Sequence, residues 1–487
     1  QAEYIVEEES AEEKRDALIF ALGDPERKSG KVRAARDFAA QNLAWPKLAK
    51  DFDKWLKSRG VIPSDAAEKG SVFFVCGSVP GNVGGAEIRN LYLLKNIADG
   101  ASTTKLFCAR KGPDFSAIES IEAACGIPVA SREAVPLSRA LAIRAMLISR
   151  VQPSMEQYKR SGLGEMVRSA AFVRKPSVIH LAQLESYYAL RPHMKHLKQQ
   201  GIKIVLDCHN VEVEAFRGAM RSFPWWKKLA GFYLMGKLRS LEIEAAENAD
   251  AIFACSTKDA DHFRRYNPNV YIIPNGVDCK IFRPAGKKDG ATLIFVGGTG
   301  YPPNADALRF FLRSAYPKIK REIPEAKLIA IGATEEFLKK NGIKSASVSA
   351  PGFVDDIGPY LDSASVGICP VRHGSGTRLK ILTFMASGLP VVSTRKGAEG
   401  ISCSDGENIA IADTAANFAK ETIALLRYSR KRERMGESAR DLMLKAYSWD
   451  VIAEDIRAAY ADILIRSADN ASAAGKMANL RQAARLD

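Results

Sequence analysis

The chain has 487 residues, 46% of them hydrophobic, which is enough for two or three domains with separate cores. Lys and Arg total 71 against 56 Asp and Glu, and the resulting charge of +15 favours anionic partners: nucleic acid, phosphorylated substrates or acidic membrane surfaces. The sequence has no apolar run near the ~20 residues of a membrane-spanning helix and no closely spaced cysteines, which disfavours a transmembrane protein and a zinc-knuckle protein.

The eight cysteines are widely scattered, and several lie in apolar runs such as VFFVCG and AIFACS. This pattern is typical of buried, reduced thiols, so we expect a cytoplasmic protein. The chain begins at Gln1, with neither an initiator Met nor a secretory signal sequence, which suggests a piece of a longer protein.

The first segment of the chain resembles its last helical part. ARDFAAQNLAW at 35–45 aligns with ARDLMLKAYSW at 439–449, and the same offset continues without a gap on both sides. Such a repeat indicates two copies of one helical ending, whereas chance similarity between amphipathic helices is the competing interpretation. If the repeat is real, residues 1–70 are the tail of a preceding homologous module, or a linker, and the parent protein carries two modules in tandem.

Residues 71–273 alternate between apolar runs and helical stretches. The runs SVFFVCGSVP, SVIHLAQ, IKIVLDCHN, ADAIFACST and VYIIPNG are rich in Val and Ile and end in Gly, Ser, Asn or His, which is typical of buried parallel strands. Stretches with a helical pattern, such as GAEIRNLYLLKNIADG, lie between them. The alternation predicts a doubly wound, Rossmann-like domain.

A second series of strands, ATLIFVGGTG, EAKLIAIG, SVGICPV and GLPVVSTR, predicts another Rossmann-like domain over residues 274–450, with a hinge near Pro274 to Pro284. We expect a return helix over 451–466 and a partly disordered tail over 467–487, which is rich in Ala, Asn, Ser and Arg. The predicted fold class is α/β: two doubly wound domains that face each other across a cleft, preceded by a helical segment.

Residues that follow the strands are candidates for a site, because open parallel sheets bind ligands beyond the carboxyl ends of their strands. Gly84 and Gly85 follow the first strand and open a helix, where backbone can approach a ligand closely; an ordinary tight turn is an equally good interpretation. LDCHN places His209 and Asn210 directly after another strand. A lone histidine is usually structural, but this position favours a role in the cleft.

The second domain repeats the pattern in FVGGTGYPPNADAL, which contains Gly298 and a helix that we expect to begin near Asn304 and to offer free amides to a phosphate. A metal-binding Asp-x-Asp motif matches Asp259 and Asp261 by letter. We expect these two residues on a helix, where side chains two positions apart do not share a face, and therefore predict no metal site.

The stretch GSGTRLKILTFMASG combines a glycine loop with two cations at the start of a helix. Ser375, Gly376 and Thr377 can donate hydrogen bonds, while Arg378 and Lys380 can neutralise a diphosphate through charge-assisted contacts. For Lys380 taken alone, a solvated helix charge is the alternative.

Four stretches, IPNGVDCKIFRP, GFVDDIGPYLDSASVGICPV, GSGTRLKILTFMASGLPVVST and GAEGI, occur in the order and spacing of the group-one (family four) glycosyltransferases. The chain resembles that family from about Ser71 to Ile465, far more specifically in the second domain than in the first. The resemblance implies the GT-B fold, and transfer of a sugar from a nucleotide-diphosphate donor to an acceptor hydroxyl with retention at the anomeric carbon, without a metal or another cofactor.

The resemblance also implies roles for residues at matching positions. It assigns His209 to the donor sugar at the reaction centre, the loop from Ser375 to Lys380 to the sugar and diphosphate, and the backbone of Phe353 and Val354 to the base. We therefore predict His209, Arg378 and Lys380 as catalytic residues, and as donor-binding residues Gly84, Gly85, Asn210, Gly298, Phe353, Val354, Ser375, Gly376, Thr377 and Thr383.

The chain departs from the family pattern at two places. Members often have two glutamates eight residues apart, and Ser375 and Thr383 stand at those positions here. The second glutamate usually binds the donor ribose, so Thr383 lacks a charge-assisted acceptor and predicts donor binding weaker by ~1.5–3 kcal/mol. The Arg and Lys that many members place after the first strand of the second domain are also missing, and we expect Arg378 and Lys380 to supply that charge.

The stretch Ser222 to Glu242 combines two tryptophans with several basic residues, and an amphipathic basic helix can lie on anionic lipid. Packing of its aromatics against the neighbouring domain is the alternative. Because family members often build polysaccharide or glycolipid on a membrane-bound carrier, the resemblance implies a glycan or lipid-linked acceptor and allows peripheral contact at the inner face of the membrane. Nucleic acid is not an expected partner.

Taken together, the residues and the resemblance predict a retaining, metal-independent, hexosyltransferase-like enzyme of surface polysaccharide or glycoconjugate synthesis. Thr383 supports a second interpretation, a degenerate, non-catalytic module that scaffolds a catalytic twin in a tandem protein. A third, a GT-B sugar-nucleotide 2-epimerase, is disfavoured by the GSGTRLK and GAEGI motifs.

Overall fold

The structure is a computed structural model that describes residues 70–81, 84–110, 115–134, 138, 153–220, 225–284, 290–343, 346–374 and 376–465. The predicted tail of a preceding module (1–70) lies outside the described residues except for Gly70. The predicted C-terminal tail (467–487) lies outside them entirely. All eight cysteines are described, and they are free thiols that are buried or half-buried, as their pattern predicts.

Seven parallel strands form the sheet of the first domain, in the order β3-β2-β1-β4-β5-β6-β7. They are β1 (Ser71–Cys76), β2 (Thr103–Arg110), β3 (Val129–Glu133), β4 (Val178–Ala182), β5 (Lys203–Cys208), β6 (Ala251–Ala254) and β7 (Val270–Ile272). Strands β1, β4 and β6 are buried along their whole length, which explains their nearly continuous apolar sequences.

Alternate residues of β1 pack into two different cores, so the sheet is covered on both faces. Phe73 and Val75 belong to one core, and Val72 and Phe74 to the other. The helices of this domain are α1 (Gly85–Gly100), α2 (Ser116–Cys125), α3 (Pro153–Arg160), α4 (Leu163–Arg174), α5 (Gln183–Leu190), α6 (Met194–Gln199), α7 (Glu212–Met220), α8 (Trp225–Asn248) and α9 (Thr257–Phe263), with a 3-10 turn at Arg191–His193.

The second domain has a six-stranded parallel sheet in the order β10-β9-β8-β11-β12-β13. Its strands are β8 (Thr292–Val296), β9 (Lys327–Ile331), β10 (Val348–Gly352), β11 (Val366–Cys369), β12 (Val391–Ser393) and β13 (Ala410–Ile411). Its helices are α10 (Pro302–Phe310), α11 (Tyr316–Glu322), α12 (Glu335–Lys340), α13 (Gly358–Ser363), α14 (Leu379–Ala386), α15 (Ala415–Arg427) and α16 (Ser429–Leu442), with π-helical segments at Phe311–Ala315 and Met443–Tyr447.

The chain crosses between the domains twice, and its last described helix, α17 (449–465), packs on the first domain. Trp449 and Tyr460 of this segment belong to a core of the first sheet. The Trp449 ring stacks on Tyr92 of α1 with 4.9 Å between ring centres, and the Tyr460 hydroxyl lies 2.8 Å from Nδ1 of His180 in β4. The end of the second domain is thereby anchored in the core of the first.

Both doubly wound domains that the sequence predicts are confirmed. The structure adds four strands that the apolar runs did not predict: β2, β3, β10 and β13. Three of these form edges of the sheets, where one side is unpaired and strong β-propensity is less necessary. β10 even contains Pro351, which a central strand would exclude.

Candidate active site

Loops that follow strands of the two sheets contact each other across the boundary between the domains. A Cβ atom at Gly376, after β11, would lie 3.7 Å from the carbonyl oxygen of His209, after β5. A Cβ atom at Gly85, after β1, would lie 3.4 Å from Leu379 in the first turn of α14. The carboxyl ends of both sheets thus meet in one cleft, which is where such sheets bind ligands.

Glycine occurs at positions 84 and 85 of the first domain for two different physical reasons. Gly84 precedes α1 with a φ of +97°, which favours glycine, and a Cβ atom there would lie 2.5 Å from Glu87 Oε2. The local turn therefore accounts for Gly84. Gly85 contacts the second domain, so the space at this position depends on how the two domains approach each other.

His209 lies next to a buried ion pair. Its Nε2 atom is 3.0 Å from Oδ2 of Asp207, and Asp207 is completely buried. The same carboxylate accepts hydrogen bonds from Nε and Nη2 of Arg89, in α1, over 2.6 to 3.2 Å. Burial by itself would raise the pKa of Asp207, but the Arg89 guanidinium and the His209 ring hold it well below its usual range. Asp207 therefore stays ionised and orients the His209 ring.

Asn210 Oδ1 and Thr377 Oγ1, both in this cleft, are buried without a hydrogen-bond partner among the residues that the structure describes. A Cβ atom at Gly400 would lie 2.9 Å from Thr377 Oγ1 and 3.6 Å from Ser256 Cβ, so the hydroxyl lies close to both domains. Buried amide and hydroxyl groups in proteins are nearly always hydrogen-bonded. Both atoms are therefore candidate ligand contacts.

The two cations at the start of α14 occupy different surroundings. Arg378 precedes the helix and donates from Nη1 to the carbonyl oxygen of Gly376. Lys380 donates from Nζ to Oδ1 of Asn304 at 2.9 Å, and Nζ lies 4.7 Å from the centre of the Phe295 ring. Burial, assisted by the charge of Arg378, lowers the pKa of Lys380 to about 8. Lys380 is half-buried and its amine is held by Asn304, which disfavours the alternative in which Lys380 is a solvated helix charge.

The helix after β8 begins earlier than predicted. α10 starts at Pro302 instead of near Asn304, because proline is well suited to the first turn of a helix. Pro302 and Pro303 lack N–H groups, and the backbone N–H of Asn304 donates to the carbonyl oxygen of Tyr301 at 3.0 Å. The predicted phosphate site on free amides of this first turn is therefore wrong. Asn304 contributes its side chain instead, by holding Lys380.

The other predicted donor-binding residues lie at the carboxyl end of the second sheet or in α14. A Cβ atom at Gly298 would have no neighbour within 4 Å. Phe353 follows β10 and is 71% exposed, whereas Val354 is half-buried against the core of the domain. Thr383 is half-buried in α14. Ser375 lies outside the described residues.

Two carboxyl groups near His209 were not predicted from the sequence. Burial raises the pKa of Glu212 to about 8, and the charges of Glu185 and Glu242 add to this shift. Burial also raises the pKa of Glu185, whose Oε2 atom has no hydrogen-bond partner within the described part of the chain. Carboxyl groups with a raised pKa beside a cleft are candidates for proton transfer.

The side chains of Asp259 and Asp261 lie in different surroundings on α9, as the spacing of two residues on a helix predicts. Asp259 is buried and accepts a hydrogen bond from Ser256 Oγ at 2.6 Å, whereas Asp261 pairs with Arg264 at 2.8 Å. Over the described ranges, no three His, Cys, Asp or Glu side chains are grouped so that they would hold a metal ion.

Two protein-family models match the chain, one in each domain. The model described as "Glycosyltransferase Family 4" matches residues 83–281, and the model described as "Glycosyl transferases group 1" matches residues 290–428. The loops that meet in the cleft come from both matched regions.

Two curated proteins are similar to parts of the chain. An MMP alpha-(1->4)-mannosyltransferase of Mycolicibacterium hassiacum is 25% identical over 284 residues, which are 56% of this chain and 68% of that protein. An uncharacterized 44.6 kDa protein in the cps region of Klebsiella pneumoniae is 28% identical over 155 residues, or 30% of this chain. The chain spans only 39% of the length of this second relative.

Solved structures share the two-domain architecture. Sucrose-phosphate synthase of Thermosynechococcus elongatus has a TM-score of 0.61 and 15% identity, and the match covers 82% of this chain and 100% of that one. HepE of Anabaena, in complex with UDP, has a TM-score of 0.58 and 13% identity over 80% of this chain and 100% of that one. At such low identity, the likeness establishes the fold alone.

Proposed function

Because the chain belongs to the group 1 (family 4) glycosyltransferases of GT-B fold, we propose that it transfers a hexose from a nucleotide-diphosphate donor to a hydroxyl group of a glycan or lipid-linked acceptor. The anomeric configuration is retained, no metal ion is required, and the product belongs to a surface polysaccharide or glycoconjugate. The Mycolicibacterium relative is a mannosyltransferase, and HepE structures contain UDP or UDP-glucose, which supports a nucleotide sugar as donor.

One observation carries the proposal: Gly376, in the loop that precedes Arg378 and Lys380, lies beside the backbone of His209 across the cleft, where an added Cβ atom would be 3.7 Å from the His209 carbonyl oxygen. In this arrangement His209 binds the donor sugar, while the two cations stabilise the negative charge that develops on the departing diphosphate. The Lys380 amine fills the space directly after β8, since a Cβ atom at Gly297 would lie 2.6 Å from Nζ. Lys380 thereby supplies positive charge where other family members have Arg and Lys.

The reaction exchanges one bond at the anomeric carbon for another. The bond between that carbon and the diphosphate oxygen breaks, and the acceptor oxygen bonds to the same face. The proton of the acceptor hydroxyl passes to the departing diphosphate, which lies on that face. The role of the protein is to hold both substrates in this geometry and to stabilise the leaving group.

The proposal is tested with a panel of nucleotide sugars, in the presence of EDTA, by following transfer or slow hydrolysis. We expect turnover of one donor, and a loss of roughly 100-fold or more in His209→Ala and Arg378→Ala, because each removes a contact to the reacting groups. Arg395→Ala is the matched control, since Arg395 lies on the exposed surface and pairs with Asp413. Absence of donor binding by calorimetry at millimolar concentration would overturn the proposal.

A non-catalytic scaffolding module is the second candidate, and Thr383 favours it. A threonine hydroxyl offers one neutral contact to a ribose, where most family members offer a carboxylate. Charge-assisted hydrogen bonds contribute ~1.5–3 kcal/mol, so Thr383→Glu should strengthen donor binding by roughly one to two orders of magnitude. If calorimetry shows no such gain, the explanation of this position is wrong.

We propose further that α8 contacts the inner face of the membrane, in the cytoplasm. Leu229, Phe232 and Tyr233 are 67%, 60% and 47% exposed, and their spacing places them on one side of the helix, near Lys228 and Lys237. The side chains of the two tryptophans lie outside the described residues. Among the helices that are described, none has the length and the apolar character to cross a bilayer.

This contact is tested by sedimentation with vesicles of phosphatidylcholine alone or with phosphatidylglycerol. Binding should require the anionic lipid and should weaken in a Leu229→Ser, Phe232→Ser variant. Ile281→Ser, which removes an apolar side chain of the second domain that is also 67% exposed, is the control. Equal binding of both variants, or none by the wild type, would refute membrane contact through α8.

A further inference from the structure

We infer that Arg89 is a positioning residue that ties the orientation of His209 to the hinge between the two domains. The inference rests on the sugar transfer proposed above. Arg89 lies in the second turn of α1, directly after the first-domain glycine loop, and only 1% of it is exposed. It was not among the residues that the sequence predicts for the site.

The guanidinium group of Arg89 joins two separate parts of the protein. Through Nε and Nη2 it binds Asp207, whose Oδ2 atom lies 3.0 Å from His209 Nε2. Through Nη1 it donates to the carbonyl oxygen of Pro274 and to Oδ1 of Asn275, each at 3.2 Å. A planar guanidinium fixes the directions of all these bonds relative to each other. The His209 ring and the hinge backbone are therefore linked by one rigid group and one carboxylate.

Pro274 and Asn275 lead directly into the crossing between the domains. The backbone N–H of Val277 donates to Tyr447 at 2.8 Å, and the N–H of Trp449 donates back to Val277 at 3.3 Å. A Cβ atom at Gly276 would lie 2.6 Å from the Trp449 ring, so the two crossing segments are tightly packed. A rotation of one domain against the other must pass through this segment. Arg89 therefore transmits the angle between the domains to the residue that binds the reacting sugar.

A purely structural role does not account for this arrangement. A buried ion pair stabilises a fold little, or not at all, relative to well-packed apolar residues of similar volume. An arginine and an aspartate in this interior are instead explained by the direction that they impose on His209. The geometry resembles the way in which a buried carboxylate orients a catalytic histidine in other enzymes.

Three variants separate the positioning role from a structural one. Arg89→Lys keeps the charge but cannot bind Asp207 and the hinge together, so kcat should fall roughly tenfold or more while the KM for the donor stays within about twofold. Asn275→Ala removes the hinge contact that Oδ1 makes with Arg89, together with a side-chain hydrogen bond to Cys255, and should lower kcat by about threefold. Tyr187→Phe is the matched control: this buried tyrosine of the first domain loses only its hydroxyl, which bonds to Glu244 at 3.0 Å and to Asn248 at 3.2 Å, both in α8 and outside the hinge. The control should lose stability and keep wild-type kcat.

The contrast between kcat and KM gives a readout that packing alone would not change. Asp207→Asn keeps the shape of the side chain but removes the carboxylate beside His209. Its kcat should fall at least as far as that of Arg89→Lys while the KM for the donor stays within about twofold, and neither constant should change in Tyr187→Phe.

The outcomes distinguish this inference from the proposed function. If the wild-type chain transfers no sugar from any donor, the proposed function fails. If the wild type is active and folded Arg89→Lys keeps the wild-type kcat, the positioning role is refuted and the proposed function stands. If Arg89→Lys does not fold, Asn275→Ala decides: a kcat equal to that of Tyr187→Phe refutes the link to the hinge.

Discussion

The two domains differ in how they compensate the charged groups that lie beneath the cleft. In the first domain, Arg89 and Asp207 neutralise each other in the interior and leave His209 at the cleft. In the second domain, the buried amine of Lys380 binds the neutral amide of Asn304. An uncompensated cation in the interior is costly, so this half gains most from an anionic ligand, whereas Arg89 in the first half already has Asp207 as its partner. The difference fits a division in which one domain orients the sugar and the other binds the diphosphate.

The largest effect is expected from Lys380→Met, which removes the buried cation and keeps the length of the side chain. The kcat/KM for the donor should fall by roughly two to three orders of magnitude, because a contact to the departing diphosphate is lost. The unfolding temperature should stay constant or rise, since burying an amine is unfavourable. Lys431→Met is the control, because Lys431 pairs with Glu421 on the surface. A wild-type kcat/KM in Lys380→Met would contradict the assignment of diphosphate binding to this half of the cleft.

The next largest effect is a loss of stability at acidic pH, which we expect in the first domain. Burial lowers the pKa of His180, in the first domain, to about 4, whereas the unfolded chain has the ordinary value of 6.5. As the pH falls from 6.5 towards 4, the unfolded state binds a proton that the folded state rejects, and the first domain should lose about 3 kcal/mol of stability.

Urea unfolding at pH 7.5 and pH 4.5 measures this loss. His180→Phe should remove most of the pH dependence of the first domain, although its stability at pH 7.5 is expected to be lower because Tyr460 loses its partner. His196→Gln changes an exposed histidine and should keep the wild-type dependence. The assignment to His180 fails if all three proteins respond equally to acid.

A smaller effect is expected on donor binding at alkaline pH. With its pKa lowered to about 8, the Lys380 amine loses its charge above that pH. Donor affinity should then decline by up to about tenfold for each further pH unit, measured by calorimetry between pH 7 and 9.5. Lys380→Arg stays protonated in this range and should abolish the decline. If donor affinity still declines in Lys380→Arg, a titratable group other than Lys380 causes the decline.

The smallest effect is expected at the exposed ion pair that bridges the domains. Lys258 Nζ lies 3.0 Å from Glu399 and 2.8 Å from Glu214, and its side chain is 53% exposed. Water and salt screen such pairs, so Lys258→Met should change stability by less than about 1 kcal/mol and donor affinity by less than about threefold. A tenfold change would show that surface charge, rather than buried contacts, joins the halves of the cleft.

Much of the fold is predictable because the apolar sequences of its central strands identify them as strands. Strands such as β1 and β4 are buried on both faces and therefore consist almost wholly of apolar residues. β2 contains Lys105 and Arg110 and is only partly buried, and β13 has two residues. Their pairing with neighbouring strands, and not their own composition, makes them strands.

The site was predictable to the extent that its residues are local in sequence. The glycine loop with its two cations, and the histidine directly after a strand, are each visible in one short stretch of chain. Arg89 and Asp207 are 118 positions apart, and nothing local links them. A signal did exist for Asp207, because a charged residue inside the apolar run IKIVLDC must find a partner when that strand is buried.

The sequence by itself determined the two strand and helix series, the loops at the ends of the strands and the family to which the chain belongs. These features depend on local periodicity and on motifs that each lie within a short stretch. Only the tertiary structure decided that the Lys380 amine is held by Asn304, that the first turn of α10 offers prolines instead of free amides, and that Arg89 lies between Asp207 and the hinge. Burial, pKa and long-range hydrogen bonds depend on neighbours that are distant in the chain, and no local pattern contains that information.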